Sequence, residues 1–430
     1  MAYSELKNAI KRKRFTSAVV GLGYVGMPTS LAIAKAAIKV VGVDINRARV
    51  REINLGHSFI SDIPDSEIKS AQKYFKATAD WKELKKAQVI IIAVPTPLTK
   101  YKTPDTSFIE AATRNVAKNF RPGTLVILES TTYPGTTEEV VKPILEKSGF
   151  TAGKDFYLAF APERIDPGNK QYKFTDIPKV VGGIDARSTE LAAMFYQTFL
   201  KSVHKVSSTR AAEMTKLLEN IFRLVNISLV NELKMIGDKM NIDFWEVIEA
   251  AKTKPYGFMP FYPGPGVGGH CIPLDPFYLS WKARELNFFT RFIDLAGEIN
   301  ELMPHHVVTK VIWALNQNKK SVKGSKILVL GAAYKKDIDD PRESAAIPII
   351  WDLMRKGADV SYHDPYIPEL HINSTTLNSK PLDKNLVKNA DCIVIITDHS
   401  KLDYKMIEKE AKLIIDTRNA IKNKGSNIVN

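Results

Sequence analysis

The 430-residue sequence predicts an α/β protein in which two doubly wound α/β domains are joined by a central all-α domain. Three observations predict it. A β-branched segment runs into closely spaced glycines and then into an Ala-rich helical pattern. Strand-like and helical segments alternate in the first and last parts of the chain, whereas the middle carries helical periodicity alone. Length agrees, since about 150 residues per domain gives roughly three domains. The expected divisions are 1–207, 208–317 and 318–430.

The first domain opens on Ser17-Ala-Val-Val-Gly-Leu-Gly-Tyr-Val-Gly-Met-Pro28. Gly21, Gly23 and Gly26 follow a strand and precede a helix. Glycines there permit a tight turn, close backbone approach to a pyrophosphate and close helix–strand packing. The helix N-terminus adds unpaired amides and a positive dipole end. Lys39-Val-Val-Gly-Val-Asp44 is the next strand and ends on an acid, 44 − 26 = 18 residues beyond Gly26. A carboxylate there accepts both hydroxyls of an adenosine ribose and repels a 2′-phosphate. This Rossmann-like pattern therefore predicts NAD rather than NADP, with Arg47 and Arg49 close by. Further strands are expected at Val89–Val94 and Leu125–Leu128. Val94-Pro-Thr-Pro97 and Ser130-Thr131 follow them, at the carboxyl edge where such sheets bind ligands, although ordinary turn chemistry explains these residues equally. The cofactor set is Gly21, Gly23, Tyr24, Val25, Gly26, Asp44, Arg49, Thr96 and Thr131. Glu163, in Ala161-Pro-Glu-Arg-Ile-Asp-Pro-Gly168, sits in a turn-rich loop, where an exposed turn acid is the plain reading.

In the middle, Ala211–Lys239 reads as one long helix and Leu279–Leu302 as another. Lys216 and Asn220, four apart, share a helix face, though a lysine there is usually solvated. Between the helices lies Tyr262-Pro-Gly-Pro-Gly-Val-Gly-Gly-His-Cys-Ile-Pro-Leu-Asp275, too rich in Gly and Pro for a helix or a sheet interior. Such a loop can wrap backbone amides around a ligand and present Cys271, although many loop cysteines are incidental. His270 is a candidate base or ligand. The last domain has strands at Lys326–Gly331, Asp391–Ile396 and Lys412–Asp416 but lacks the full glycine pattern, and Cys392 reads as a core residue.

Composition narrows the function classes. The balance 61 − 47 = +14 invites an anionic partner, yet the lysines are scattered and no nucleic-acid motif appears. Two cysteines and no spaced histidines argue against a disulfide scaffold and against a metal site. No apolar run approaches the ~18 residues of a membrane span, and the basic start is followed by a stretch broken at Gly21 and Gly23. A cytoplasmic protein without a signal peptide is expected.

Six motifs occur in order: Gly21-Leu-Gly-Tyr-Val-Gly26, Ala161-Pro-Glu-Arg-Ile-Asp-Pro-Gly-Asn169, Glu213-Met-Thr-Lys-Leu-Leu-Glu-Asn220, Pro263-Gly-Pro-Gly-Val-Gly-Gly-His-Cys-Ile-Pro-Leu-Asp275, Tyr334-Lys-Lys-Asp337 and Asp416-Thr-Arg-Asn419. Together, from about Thr16 to Asn419, they resemble the UDP-glucose/GDP-mannose dehydrogenase family, and most the branch acting on UDP-N-acetylglucosamine or its epimers. The resemblance implies a four-electron oxidation of a sugar C6 alcohol to a carboxylate with NAD. Cys271 matches the nucleophile that holds the substrate first as a thiohemiacetal and then as a thioester. Lys216 matches the lysine that stabilises charge on the substrate oxygen, Asn220 its partner, Asp275 a proton-handling acid, Glu163 a carboxylate for thioester hydrolysis, and Thr131 a residue positioning water and cofactor. The substrate set it implies is Glu163, Arg164, Lys216, Asn220, Tyr262, Gly264, Gly266, Gly268, Lys335 and Arg418. It also implies a homodimer or a higher assembly, formed through the central helices.

Two positions depart from the family pattern. Pro167 stands where many UDP-glucose enzymes carry a second acid. An arginine that those enzymes place ahead of the cysteine loop has no match, and Lys252 or Lys254 replaces it only as a point charge. Both departures weigh against UDP-glucose. UDP-N-acetylglucosamine is the expected substrate, with the N-acetylmannosamine and N-acetylgalactosamine nucleotides as competitors. A non-catalytic nucleotide-sugar sensor is the reading from another class, and Cys271, Asp275 and Lys216 argue against it.

Overall fold

The computed structural model describes residues 3–60, 62–99, 103–166, 171–269, 271–422 and 425–429. Packing divides the chain into two compact units, Met1–Glu219 with Trp281–Phe288, and Asn220–Ser280 with Phe289–Asn430. Among the described residues no helix is long and apolar enough to cross a membrane.

The first unit is built on a sheet of β1 (Thr16–Val20), β2 (Lys39–Val43), β3 (Phe75–Thr78), β4 (Val89–Ile92), β5 (Leu125–Leu128), β6 (Tyr157–Phe160), β7 (Lys179–Gly183) and β8 (Val203–Lys205). Their spatial order is β3-β2-β1-β4-β5-β6-β7-β8. The helices are α1 (Tyr3–Lys11), α2 (Gly26–Lys35), α3 (Arg47–Leu55), α4 (Asp65–Ala71), α5 (Ser107–Asn119), α6 (Lys142–Glu146) and α7 (Ala186–Gln197). Alternate residues of the central strands feed two separate cores. Val89 and Ile91 pack with Leu125 and Ile127, whereas Ile90 and Ile92 pack with Val126 and Leu128. Burial on both faces is why these strands are continuous apolar runs, each side chain contributing about 1.5–3 kcal/mol over exposure. Neighbouring strands are parallel with one exception: β7 pairs antiparallel to β6. Parallel strands need a crossover, usually a helix. The β6–β7 connection has no α-helix among its described residues, so the chain comes back antiparallel and the sheet is not wholly parallel.

The middle of the chain holds α8 (Thr209–Lys239), α9 (Phe244–Ala251), α10 (Asp275–Arg284) and α11 (Arg291–Gln317). The Leu279–Leu302 pattern is thus two helices rather than one. Asn287 takes a left-handed φ of 55°, and the Phe288 amide bonds back to Ala283 O at 3.0 Å, a helix-ending arrangement that hydrophobic periodicity does not reveal. Along α8, Met214, Leu218, Phe222, Leu229, Leu233 and Ile236 are exposed at helical spacing.

The second sheet comprises β9 (Lys326–Leu330), β10 (Asp359–His363), β13 (Cys392–Ile395), β14 (Ile414–Asp416) and β15 (Ile428–Val429), with β11 (Glu369–Ile372) and β12 (Thr375–Asn378) as a separate antiparallel pair. Order β10-β9-β13-β14-β15 is parallel throughout, with α12 (Ala346–Arg355), α13 (Lys384–Asn389) and α14 (Tyr404–Glu410). Cys392 is fully buried, and burial pushes its thiol up to about 12, as befits a core residue.

Candidate active site

The glycine turn after β1 meets the physical demands of a dinucleotide site. Gly21 has φ 91°, and a Cβ there would sit 2.3 Å from Ala93 O. A Cβ at Gly26 would sit 1.8 Å from Gly21 O, so close packing requires both glycines. Gly23 differs, because a Cβ there meets no protein atom within 4 Å. Its constraint therefore lies outside the protein's own packing, which fits a cradle for a phosphate pair. Asp44, buried just past β2, accepts from Leu22 N at 2.9 Å and Asn46 N at 2.8 Å. Arg49 Nη1 also donates to its Oδ2 at 3.1 Å, which puts that arginine on the carboxylate and not out as a lone phosphate contact. Tyr24 is half-exposed on the turn.

The other strand ends meet at the same edge. Ser130 Oγ donates to Val94 O at 2.8 Å and accepts from Val94 N at 2.9 Å, tying the Thr96 loop to the Thr131 loop. Glu213, one turn before Lys216 on α8, accepts from Gly135 N (2.6 Å), Thr137 N (2.9 Å) and Thr137 Oγ1 (2.7 Å). Burial pushes its carboxyl up to about 7 despite those donors. Lys216 is buried, so the solvated-lysine reading of that position is wrong.

Glu163 is likewise buried rather than an exposed turn acid. Oε1 accepts from Arg164 N at 2.6 Å and Ile165 N at 2.8 Å, and Oε2 takes the Lys179 ammonium at 2.9 Å. Arg164 turns its guanidinium to Glu219 and to Pro178 O. Pro167, with Gly168 and Asn169 of the same motif, lies outside the described residues, as does His270.

In the second unit the cysteine loop is anchored on three sides. Gly264 N donates to Asn231 Oδ1 at 2.9 Å, and a Cβ on Gly264 would lie 2.5 Å from Arg418 Nη1. Val267 N donates to Asn300 Oδ1 at 2.6 Å. A Cβ on Gly268 would lie 2.7 Å from Tyr334 Cβ, next to Lys335, and Gly266 and Gly269 adopt φ of 133° and 85°. The loop, Lys335 and Arg418 are thus gathered in one unit. Tyr262 donates to Glu249 at 2.9 Å and stacks on Trp245. Cys271 is half-buried at the start of a turn whose closing bond is Asp275 N to Cys271 O, 2.8 Å. Asp275, buried at the head of α10, accepts from Asn220 Nδ2 at 2.6 Å, while Arg223 donates to Asn220 Oδ1 at 2.5 Å. Those two partners fix which way the Asn220 amide points.

The residues missed by sequence reasoning are Glu129, Lys179 and Tyr196 around Glu163, and Arg223, Asn231 and Asn300 around the loop. Glu129 immediately precedes Ser130-Thr131 and was within reach of that reading. The others lie within regular helices and strands, where nothing local marks them.

Residues 16–200, 210–302 and 328–423 match, in turn, the NAD binding, central and UDP binding domains of the UDP-glucose/GDP-mannose dehydrogenase family. A UDP-N-acetyl-D-glucosamine 6-dehydrogenase of Pseudomonas aeruginosa is 38% identical over 352 residues, 81% of this chain and 82% of that protein. An NDP-N-acetyl-D-galactosaminuronic acid dehydrogenase of Ralstonia nicotianae is 36% identical over 423 residues, 94% of this chain and 95% of that one. The solved structure of a UDP-D-ManNAc dehydrogenase of Pyrococcus horikoshii superposes with TM-score 0.88 at 36% identity, covering 96% of this chain and 98% of that one.

Proposed function

The chain belongs to the UDP-glucose/GDP-mannose dehydrogenase family as an NAD-dependent UDP-sugar dehydrogenase, and on that premise we propose that it oxidises the C6 alcohol of UDP-N-acetylglucosamine to the carboxylate of UDP-N-acetylglucosaminuronate. The observation that carries the two-step character is the Cys271–Asp275 turn with Asn220 locked on Asp275. The choice of sugar rests on the Pseudomonas aeruginosa relative and on one of the same name from Salmonella typhi. UDP-N-acetylmannosamine is the second reading, favoured by the fuller coverage of the Pyrococcus horikoshii structure.

NAD would supply the hydride acceptor, two molecules bound in succession and each taking one hydride, which balances the four-electron oxidation. Gly21, Gly23, Tyr24, Val25 and Gly26 would hold its pyrophosphate and Asp44 its adenosine ribose, with Thr96 and Thr131 at the edge beside it. Cys271 Sγ adds to the C6 aldehyde, so the reactive half-oxidised carbon never leaves the protein. Its thiol proton passes to the Asp275 carboxylate, oriented by Asn220. Lys216 offers an ammonium to the C6 oxygen as charge develops there. Glu163 takes a proton from the water that hydrolyses the thioester. Lys335 and Arg418 pair with the nucleotide phosphates, and Gly264, Gly266 and Gly268 let the loop backbone approach the sugar. Arg164 and Tyr262 support the site through Glu219 and Glu249.

The 208–317 segment carries the dimer contact in this reading. The exposed apolar stripe on α8 supports this, as a surface that a second copy of the chain would cover. A monomer by light scattering would remove the dimer from this proposal.

A panel of UDP-sugars assayed by NADH production tests the substrate. UDP-N-acetylglucosamine should lead in kcat/KM, and a lead of about tenfold or more for another sugar overturns the choice. Cys271→Ser should abolish complete conversion to the uronate, whereas full conversion at an unchanged rate takes Cys271 out of the reaction.

A further inference from the structure

Behind Glu163 lies a closed set of buried charges that the reaction as written does not use. Lys179 Nζ sits 2.9 Å from Glu163 Oε2 and 2.9 Å from Glu129 Oε1. Tyr196 OH donates to the same Glu129 oxygen at 2.5 Å, and Thr29 Oγ1 lies 3.3 Å from the other. Lys179, Glu129 and Tyr196 are almost completely buried. Topology brings them together. Glu129 and Glu163 follow β5 and β6, whose carboxyl ends share the ligand edge. Because β7 runs antiparallel to β6, its first residue, Lys179, arrives at that edge as well.

Two carboxylates facing one ammonium in a dry environment cannot both stay charged at no cost. Burial pushes Glu129 above its ordinary value, and the Lys179 charge only partly offsets this. Burial opposes Glu163 too, yet the Lys179 ammonium and the two backbone amides outweigh it and hold that carboxyl below its ordinary value. Glu163 is therefore the more readily ionised member of the pair, and Glu129 the one that holds a proton more readily. A carboxylate offers about four acceptor positions, and three of those on Glu163 are filled by Arg164 N, Ile165 N and Lys179. Arg164, the charged group beside it in the chain, is turned to Glu219 of α8.

We infer that Lys179 is a positioning residue for Glu163, with Glu129 and Tyr196 as its buried support: it pins one carboxylate oxygen and leaves a single acceptor position for the hydrolytic water. When that water attacks the Cys271 thioester, its oxygen bonds to C6, its proton goes to Glu163, and the C6–S bond breaks with the electron pair leaving on Sγ. This assignment rests on the proposed reading of Glu163. Without the ammonium, only the two backbone amides are left to oppose burial, and Glu163 ionises at higher pH than in the wild type.

The test is Lys179→Met in the full-length enzyme, followed by NADH production across pH and by acid quench with intact-protein mass measurement. Losing a charged hydrogen bond should lower kcat at neutral pH by about tenfold to a hundredfold. The acid limb of the kcat profile should move to higher pH, and a Cys271-linked acyl species that the wild type clears should accumulate. KM for NAD should stay within about threefold, because the loss falls on one chemical step. Lys179→Arg should restore part of the rate and return the acid limb toward wild type. If Lys179→Met folds poorly, Glu129→Gln combined with Lys179→Met removes the second buried acid and should show the same shifted limb. An unmoved acid limb without acyl accumulation, in whichever of these variants folds, overturns the inference while leaving the reaction standing. A wild type that produces no NADH with any UDP-sugar overturns the reaction itself.

Discussion

The two α/β lobes use the same construction at their first strand and put it to different ends. After β1, Gly21 N bonds Val43 O at the end of β2, and after β9, Gly331 N bonds His363 O at the end of β10. Both glycines are left-handed, with φ of 91° and 87°. An aspartate follows the second strand in each lobe, and its Oδ2 takes the amide that follows the glycine, Leu22 N at 2.9 Å or Ala332 N at 2.6 Å. Beyond that point they part. The helix begins 26 − 21 = 5 residues after the first glycine but 346 − 331 = 15 after the second, so only the first turn delivers helix amides directly at the strand end. Asp44 has two backbone amides and Arg49. Asp364 has the amides of Ala332, Ala333, Tyr366 and Ile367, and buried His399 at 2.9 Å. A carboxylate so fully engaged by its own protein has little left for a ribose. With Asp44 as the proposed ribose contact, what suits the first lobe to a dinucleotide is an acid with capacity to spare, together with a short path into the helix.

Removing the two acids should break this parallel most sharply. Asp364→Ala strips partners from four amides and a buried histidine, and loss of one side of such a pair costs about 3–5 kcal/mol. Thermal or urea unfolding should show that loss while KM for NAD stays near wild type in the folded fraction. Asp44→Ala should do the reverse, raising KM for NAD by about tenfold to a hundredfold, the worth of a charged hydrogen bond, at a smaller cost in stability. An unaltered KM for NAD in Asp44→Ala would remove the ribose contact and with it the difference between the lobes.

The glycines sharpen the same point with smaller effects. Gly23→Ala meets no protein atom, so the melting temperature should hold while NAD binding weakens. Gly331→Ala forces a side chain into a left-handed residue whose Cβ would sit 2.5 Å from Thr397, at a cost of about 1–3 kcal/mol. Its KM for NAD should not change. Equal stability loss in both variants would mean that Gly23 serves packing after all.

Much of the first lobe is legible in the sequence because its signals are local. Strand, glycine turn, helix and acid occupy some thirty consecutive positions, and β5 runs over Leu125–Leu128 as its apolar run predicts. The ordered motifs likewise single out Cys271, Asp275 and Asn220 before any packing is known. The charge behind Glu163 is not legible. Lys179 opens an apolar strand and reads as an ordinary edge lysine, and only the antiparallel turn from β6 to β7 brings it to the ligand edge. Nor is the second lobe's saturated acid visible, since His399 lies 399 − 364 = 35 residues from Asp364 and no periodicity links them. Local chemistry is written in neighbouring residues; electrostatic environment is written in topology.

The smallest effect tests that last distinction through acid stability. Burial works against ionisation of Asp364, but His399 and the backbone amides outweigh it and hold the carboxyl below its ordinary value. A carboxyl depressed in the fold binds its proton less readily there than in the unfolded chain. Its stabilising contribution is therefore complete above the ordinary aspartate value of about 3.9 and is lost as pH falls through the lower folded value. Asp364→Asn removes that one titration. Its unfolding free energy, followed by urea titration on the acid side, should fall less steeply than that of the wild type, by at most about 1.4 kcal/mol per pH unit, the limit for a single proton. The two curves should run parallel near neutrality, where Asp364 is ionised in both folded and unfolded chains. Parallel curves on the acid side as well would mean that the His399 contact does not favour the ionised acid, and the second lobe's turn would then be held by its amides alone.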